Sequence, residues 1–246
     1  MEKETDPPGS SQLFKFTGAV SGSISDGEQL VSDCLPPLET YTVTETVPDC
    51  WELTGIVPTD DNGSVDIPTA TATINLDPGE DVIVTFQDMQ WGWIVVEKET
   101  DPPGLPNTFT FDGELSWGIG DGETLESQCL PPYEQYTVWE ILDKACWELA
   151  DIQLQGDLHP TGTASHLDFS AKQVFFELDP GETITATFTN KYEPCPDRPA
   201  GEDHGAAVGI EVFYVNKLAL VAPWIALAVV INTGGILLVR RYKAHS

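Results

Sequence analysis

The chain carries the same motifs twice in the same order, and this duplication constrains its fold more than any other feature. The motif Glu-Lys-Glu-Thr-Asp-Pro-Pro-Gly at residues 2–9 recurs at residues 97–104. Five shorter motifs recur after it, at residues 26–28 and 121–123, 34–37 and 129–132, 41–43 and 136–138, 50–53 and 146–149, and 76–80 and 178–182. A shared order of this length indicates a tandem duplication. We therefore predict two like domains, repeat 1 at residues 1–90 and repeat 2 at residues 95–191.

Short strands separated by turn residues are predicted throughout both repeats. Apolar and polar residues alternate over 41–45, 82–88, 136–140 and 183–190, which is the pattern of a half-buried strand. The motif Asp-Pro-Gly-Glu before each last strand predicts a tight turn, because Pro fixes φ and Gly permits positive φ. No stretch before residue 205 has a sustained helical period of apolar residues. The sequence therefore predicts an all-β fold of two tandem immunoglobulin-like β-sandwich domains.

The C-terminal segment has the composition of a membrane anchor. Residues Leu218 to Val239 include no charged side chain, and a helix of this length spans roughly 33 Å, enough to cross the hydrocarbon core. Trp224 lies near one boundary as an interfacial residue, while Arg240 and Arg241 follow the other. Because cytoplasmic flanks carry the excess of basic residues, the C-terminus is predicted to be cytoplasmic and the β domains extracellular.

The resulting layout is that of a single-pass protein of the cell membrane. After the two repeats we expect a Pro-rich linker at 192–215, a transmembrane helix at 217–240 and a cytoplasmic tail at 241–246. Export of the repeats requires a secretion signal. We expect that signal upstream of Met1, which holds the position in repeat 1 that Val96 holds in repeat 2.

The charge of the chain limits its partners. Asp and Glu number 40 against 11 Lys and Arg, which gives a formal net charge of -29. Such a chain repels nucleic-acid phosphates and anionic lipid headgroups, so nucleic acid is not an expected partner. The expected partners are the lipid bilayer, through the C-terminal helix, and an extracellular protein or glycan.

The five cysteines agree with an oxidising exterior. Cys34 and Cys50 bracket the Tyr-Thr-Val strand of repeat 1, and Cys129 and Cys146 bracket that of repeat 2. The simplest pairing is one disulfide within each repeat, each closing a loop of about 15 residues and stabilising its domain by roughly 3 kcal/mol. Cys195 in the linker is left over, so it is expected to be an unpaired thiol or to join two chains. No Cys-x-x-Cys or neighbouring His supports a metal site, and we predict none.

The repeated motifs resemble those of a known class of domain. The blocks Glu-Lys-Glu-Thr-Asp-Pro-Pro-Gly, Tyr-Thr-Val-x-Glu and Leu-Asp-Pro-Gly-Glu, within residues 2–88 and 97–190, are similar to the prealbumin-like domains of bacterial surface proteins. These include SpaA-like pilin and collagen-adhesin B-type repeats. The resemblance implies a prealbumin-like β-sandwich for each repeat.

The resemblance also implies a covalent cross-link. Many domains of this class join their first and last strands by a Lys–Asn or Lys–Asp isopeptide bond, assisted by a buried Glu. The residues at the matching positions, repeat 2 first, are Lys98, Glu140, Asn190, Lys3, Glu45 and Asp88. Strand alternation independently places all of these except Lys3 on apolar faces. The alternative is that they lie at strand ends and form surface ion pairs.

Two classes of function follow from these features. The first is a structural or adhesive stalk that holds something away from the membrane. The second is a module that binds carbohydrate or matrix protein, in which Trp91, Trp93, Trp117 and Trp139 could stack on sugar rings. No motif of nucleophilic, phosphate-binding or metallohydrolase catalysis is present, so neither enzymatic activity nor a cofactor is predicted.

Overall fold

The computed structural model describes residues 1–158 and 164–195, and all of the regular structure there is β-sheet. The all-β prediction is therefore confirmed for these residues. Within the same ranges, no helix is long and apolar enough to cross a bilayer. The predicted transmembrane helix at 217–240, its cytoplasmic tail, and all of the linker beyond Cys195 lie outside the described residues.

Repeat 1 forms two sheets. Its strands are β1 (Glu2–Asp6), β2 (Phe14–Gly18), β3 (Gly22–Ile24), β4 (Glu39–Thr46), β5 (Trp51–Pro58), β6 (Ser64–Asp66), β7 (Thr71–Leu76) and β8 (Val84–Gln90). One sheet has the strand order β1-β8-β5 and the other β3-β2-β4-β7-β6. The first and last strands, β1 and β8, are neighbours and run parallel, with Lys3 opposite Phe86.

Repeat 2 forms two further sheets with almost the same order. Its strands are β9 (Trp93–Asp101), β10 (Thr108–Gly113), β11 (Trp117–Gly120), β12 (Thr124–Glu126), β13 (Gln135–Ile141), β14 (Trp147–Gln155), β15 (His166–Asp168), β16 (Gln173–Glu177) and β17 (Thr183–Tyr192). The sheets have the orders β12-β9-β17-β14 and β11-β10-β13-β16-β15. Here too the first and last strands, β9 and β17, pair in parallel.

The two sheets of each repeat enclose one apolar core, as in a β-sandwich. Phe16 of β2 meets Phe86 of β8 edge-to-face with ring centroids 5.1 Å apart. Phe111 of β10 meets Phe188 of β17 in the same way at 5.0 Å. Burial alternates along the strands, because successive side chains point to opposite faces of a sheet. The aromatic pairs therefore fix the spacing between the sheets of each repeat.

The two repeats join with almost no intervening chain. Strand β8 ends at Gln90 and β9 begins at Trp93. Trp91 donates its backbone N–H to the carbonyl of Cys50 at 2.9 Å, and Gly92 exchanges two backbone hydrogen bonds with Leu130 of repeat 2. A Cβ on Gly92 would lie 2.8 Å from the carbonyl oxygen of Glu182, so only glycine fits this crossing.

The predicted disulfide pairing within each repeat is wrong. Cys50 bonds to Cys129 across the junction, with Cα atoms 5.6 Å apart. Hydrogen bonding at the junction explains this, because Cys50 accepts from Trp91, and Cys129 precedes the Leu130 that pairs with Gly92. Cys34, predicted to bond to Cys50, is an exposed free thiol.

The remaining two cysteines also differ from the sequence-based expectation. Cys146 and Cys195 are each disulfide-bonded, so Cys195 is not an unpaired thiol. Cys146 accepts a backbone hydrogen bond from Glu193 at 2.8 Å, as Cys50 does from Trp91. The cysteine before each Trp-Glu-Leu motif therefore lies beside the chain as it leaves the repeat.

Candidate functional site

Parallel pairing of the first and last strands brings the predicted cross-link residues together. Lys98 of β9 lies opposite Phe188 of β17, and Asn190 lies two residues further along β17. Residues two apart on a strand share a face, so Asn190 and the lysine are directed into the same core. In repeat 1 the same register places Lys3 of β1 beside Asp88 of β8.

The Asp-Gly-Glu turn fixes the backbone of each lysine. In repeat 2, Gly122 donates its N–H to the carbonyl of Lys98 at 2.7 Å, and the N–H of Lys98 is donated to the carbonyl of Glu123 at 3.0 Å. Asp121 accepts from the backbone N–H groups of Thr100 and Gly104, at 2.6 and 2.7 Å. The hydrogen bond from Gly104 lowers the pKa of Asp121 most strongly, and the bond from Thr100 lowers it further.

The same turn recurs in repeat 1, where Gly27 donates to the carbonyl of Lys3 at 2.8 Å and Asp26 accepts from Thr5 and Gly9. Sequence reasoning treated Asp-Gly-Glu only as a marker of duplication. The available signal was its constant distance from the Glu-Lys-Glu-Thr motif in both repeats. The turn holds the lysine-bearing strand in register.

All six predicted cross-link residues are buried, although five of them are of charged types. Lys3, Lys98 and Asn190 are fully inaccessible to solvent, and the three acids are at most 4% exposed. The lysine ammonium groups lie over aromatic faces, Lys3 at 4.1 Å from the ring centroid of Phe14 and Lys98 at 4.6 Å from that of Phe109. The predicted orientation toward the apolar side is confirmed, and surface ion pairing at strand ends is excluded.

In repeat 2 a carboxyl group lies between the amine and the carboxamide. Asn190 donates its Nδ2 to Oε1 of Glu140 at 2.7 Å, and Nζ of Lys98 lies 3.8 Å from the same oxygen. Lys98 donates to the carbonyl of Phe188 at 2.7 Å and to that of Glu99 at 2.8 Å. Oδ1 of Asn190 is buried and accepts no hydrogen bond within the described part of the chain.

In repeat 1 a carboxyl group replaces the carboxamide. Nζ of Lys3 donates directly to Oδ2 of Asp88 and lies 3.5 Å from Oε1 of Glu45. It also donates to the carbonyl of Phe86 at 3.2 Å. Lys3 thus contacts the carboxyl group of Asp88 directly, and Asp88 holds the position in repeat 1 that Asn190 holds in repeat 2.

Burial shifts the pKa of Lys98 and of the buried acids in both clusters toward the neutral forms. Desolvation lowers the pKa of Lys98 to about 8 and raises the pKa of Glu140. In repeat 1, desolvation first and the charge of Asp88 second raise the pKa of Glu45 to about 8. Desolvation also raises the pKa of Asp88 itself. A neutral amine can act as a nucleophile, and a protonated carboxyl can donate a proton to a leaving group.

The predicted sugar-stacking tryptophans do not form one surface. Trp117 on β11 is 71% exposed, whereas Trp91, Trp93 and Trp139 are half-buried. The indole Nε1 of Trp91 is itself buried at the junction. Trp139 packs close to Gly113, where a Cβ would lie 2.8 Å from its ring. The four tryptophans therefore lie at different places, and only Trp117 among them is largely exposed.

No protein-family model and no curated protein sequence matches the chain. It is similar in structure to the major pilin of Streptococcus pyogenes, at 12% identity and a TM-score of 0.35, over 78% of this chain and 96% of the pilin. It is also similar to an adhesin of Mobiluncus mulieris described as containing intramolecular disulfide, isopeptide and ester cross-links, at 12% identity and a TM-score of 0.34, over 63% of this chain and 60% of the adhesin. A pilus-presented adhesin follows at 15% identity and a TM-score of 0.31, over 50% of this chain and 34% of that protein. These are the classes of protein that the motifs resemble.

Proposed function

We propose that this chain is a structural stalk of a cell surface, built to carry tension along its length. The observation that supports this most directly is the parallel pairing of the first and last strands in each repeat. Tension applied at the two ends of a repeat pulls these strands in opposite directions along their shared axis. All hydrogen bonds between them then bear the force together instead of opening one at a time.

In repeat 2 we propose an isopeptide bond between Lys98 and Asn190. The neutral amine of Lys98 attacks Cγ of Asn190, so that an Nζ–Cγ bond forms and the Cγ–Nδ2 bond breaks. Glu140, whose Oε1 already accepts from Nδ2, protonates the leaving nitrogen and receives a proton from Nζ. One ammonia is released, and Glu140 ends in its original state.

The corresponding bond in repeat 1 joins Lys3 to Asp88 and releases one water. Asp88 reacts as the protonated acid, the form that desolvation favours. Glu45 takes the place of Glu140, and its raised pKa keeps it protonated near neutral pH. With both bonds in place, tension passes from the first strand of each repeat directly to its last strand.

The junction between the repeats passes tension from the last strand of repeat 1 to the first strand of repeat 2. Cys50–Cys129 links the repeats covalently, and Gly92 ties the connecting chain to Leu130. A hinge at this point would need exposed, unbonded backbone, whereas here the connection is hydrogen-bonded and cross-linked. We propose that the two repeats form one stiff rod.

We propose that this rod is anchored by the span from Leu218 to Val239, with Trp224 at its outer boundary and Arg240 and Arg241 at its inner one. The uncharged length and the flanking arginines support this placement. The repeats then lie outside the cell and the C-terminus in the cytoplasm. Binding of a glycan or matrix protein is less favoured, because of the four candidate tryptophans only Trp117 is exposed.

Single-molecule pulling from both ends under reducing conditions tests the stalk. In wild-type protein the cross-linked stretches cannot lengthen, so force should rise without unfolding steps from either repeat. Lys98→Met should add one step of about 300 Å, the extended length of the chain between the former cross-link residues. Lys15→Met, at an exposed lysine of β2, is the matched control and should add none. Unfolding steps of that size in wild-type protein would contradict the proposal.

A further inference from the structure

The two repeats differ on the outer face of their five-stranded sheets, β3-β2-β4-β7-β6 in repeat 1 and β11-β10-β13-β16-β15 in repeat 2. On the neighbouring strands β4 and β7 of repeat 1, the outward side chains include the threonines Thr40, Thr42, Thr44, Thr46, Thr71 and Thr73. Thr44 pairs with Thr71, and Thr42 pairs with Thr73. The sandwich therefore forms with small polar side chains at these positions.

The equivalent face of repeat 2 carries three aromatic rings from adjacent strands, and we call Trp139, Phe175 and His166 the aromatic strip. His166 lies opposite Phe175, and their rings are stacked with centroids 4.6 Å apart. Trp139 pairs with Gln173, so Phe175 is its diagonal neighbour at about 7 to 8 Å, within reach of aromatic side chains. Trp139 and Phe175 are half-buried, and His166 is exposed. Exposed apolar surface of this kind marks interaction sites.

Each ring of the aromatic strip has a carboxylate beside it on the same face. Asp112 lies opposite the tryptophan. Asp168 and Glu177 lie two residues after the histidine and the phenylalanine along their strands, so they share its face. Within the described part of the chain, the three carboxylates accept hydrogen bonds from uncharged groups. None of the five strands of this sheet contains a lysine or an arginine, so the negative charge is not compensated on this face.

We propose that the aromatic strip and its three carboxylates bind a basic segment of another polypeptide in extended conformation. Cations are attracted to aromatic faces, and a guanidinium group can stack on a ring while it donates paired hydrogen bonds to a carboxylate. A second copy of this chain is disfavoured as the partner, because its net charge of -29 would repel the same surface. The surface is additional to the stalk function, and it depends on neither the anchor nor the isopeptide bonds.

The spacing of the carboxylates indicates the motif that fits. Asp168, Gln173, Trp139 and Asp112 lie side by side on four adjacent strands. The two outer residues of this row are separated by three strand spacings, about 14 Å, which an extended chain covers in about four residues. Basic side chains at the first and fifth positions of a segment therefore reach Asp112 and Asp168. The third side chain points the same way and meets the aromatic strip, where an apolar group fits.

A peptide with this motif tests the surface in the full-length chain. The probe is Ser-Arg-Ser-Leu-Ser-Arg-Ser with blocked ends and an uncharged dye, whose fluorescence anisotropy reports binding. We expect saturable binding, and a peptide with Gln in place of both arginines should bind roughly tenfold more weakly. Trp139→Thr combined with Phe175→Thr installs the residues that repeat 1 has at these positions and leaves the charge unchanged. This double variant should also bind the probe roughly tenfold more weakly.

Two variants of equal charge separate the surface from general attraction to an acidic protein. Asp112→Asn keeps the acceptor for Gly113 and should weaken binding roughly threefold. Asp66→Asn removes the same charge from repeat 1, where Asp66 pairs with Thr71 as Asp168 pairs with Gln173, and should leave binding unchanged.

If the double threonine variant fails to fold, Phe175→Thr alone should weaken binding roughly threefold. No saturable binding, undiminished binding by the folded threonine variants, or equal weakening by the two aspartate variants would each overturn the proposal. Cellohexaose, a neutral glycan, should not displace the probe. Displacement by cellohexaose would overturn the proposal in favour of a glycan site.

Discussion

Substitutions at Asn190 separate the proposed cross-link from ordinary packing. Asn190→Asp keeps an acceptor carbon at the same place, as Asp88 does in repeat 1. Reaction of the amide releases ammonia and reaction of the acid releases water, so the two cross-linked products are chemically identical. Asn190→Ala has no side-chain carbonyl carbon for the amine to attack, so no bond to Lys98 can form in that variant.

The stabilisation expected from the Lys98–Asn190 bond follows from the length of the chain segment that the bond closes into a loop. Lys98 and Asn190 are 92 positions apart. In the chain-entropy model a cross-link over a loop of that size stabilises the native state by about 5 kcal/mol. For a domain of this size, roughly 4 to 8 °C in Tm corresponds to each kcal/mol, so Asn190→Ala should lower the Tm of repeat 2 by roughly 20 to 40 °C.

Intact-mass spectrometry of the reduced proteins tests whether the bond forms, and scanning calorimetry of the same proteins tests the expected change in Tm. Wild type and Asn190→Asp should have the same mass, and Asn190→Ala should be lighter than its unmodified sequence only by the one water that repeat 1 releases. Asn62→Asp, at an exposed position of repeat 1, is the control and should be heavier than wild type with little change in Tm. If Asn190→Asp is heavier than wild type by that same increment, no bond has formed at this position and the reasoning fails.

Three further outcomes are expected. Glu140→Ala removes the proton donor, so chains should accumulate whose mass lacks the loss of ammonia from repeat 2. Cys129→Ser opens the disulfide to Cys50 and should lower the free energy of unfolding by about 4 to 5 kcal/mol in calorimetry of oxidised protein, whereas Cys34→Ser should change it by less than about 0.5 kcal/mol. In Asn190→Ala the native state binds fewer protons than the unfolded state between the lowered pKa of Lys98, about 8, and its ordinary value of 10.5. Stability to urea should therefore rise across that window by up to about 3 kcal/mol, and Lys98→Met in the same background should abolish the rise.

Alternation along the strands was sufficient to predict much of the site. The pattern over residues 136–140 predicted the strand that became Gln135–Ile141, and it placed Glu140 on the buried face. The same reasoning placed Lys98 and Asn190 inward, and all three are buried. Period-2 alternation succeeds here because each strand has one face on the core and one in water.

The disulfide pairing could not be obtained in this way. Proximity in sequence favoured Cys34 with Cys50, but the two cysteines that meet are separated by 79 positions. What brings them together is the path of the chain at Trp91 and Gly92, which depends on tertiary hydrogen bonds. Strand patterns contain no information on which end of one sandwich meets which end of the next.

The observed disulfide shows which end of repeat 1 meets which end of repeat 2. Each repeat carries one cysteine before its Leu-Pro-Pro motif, Cys34 or Cys129, and one before its Trp-Glu-Leu motif, Cys50 or Cys146. The single junction in this chain bonds the Trp-side cysteine of the first repeat to the Leu-side cysteine of the second. Applied to any further like repeat, the same rule joins repeats head to tail with one disulfide per junction.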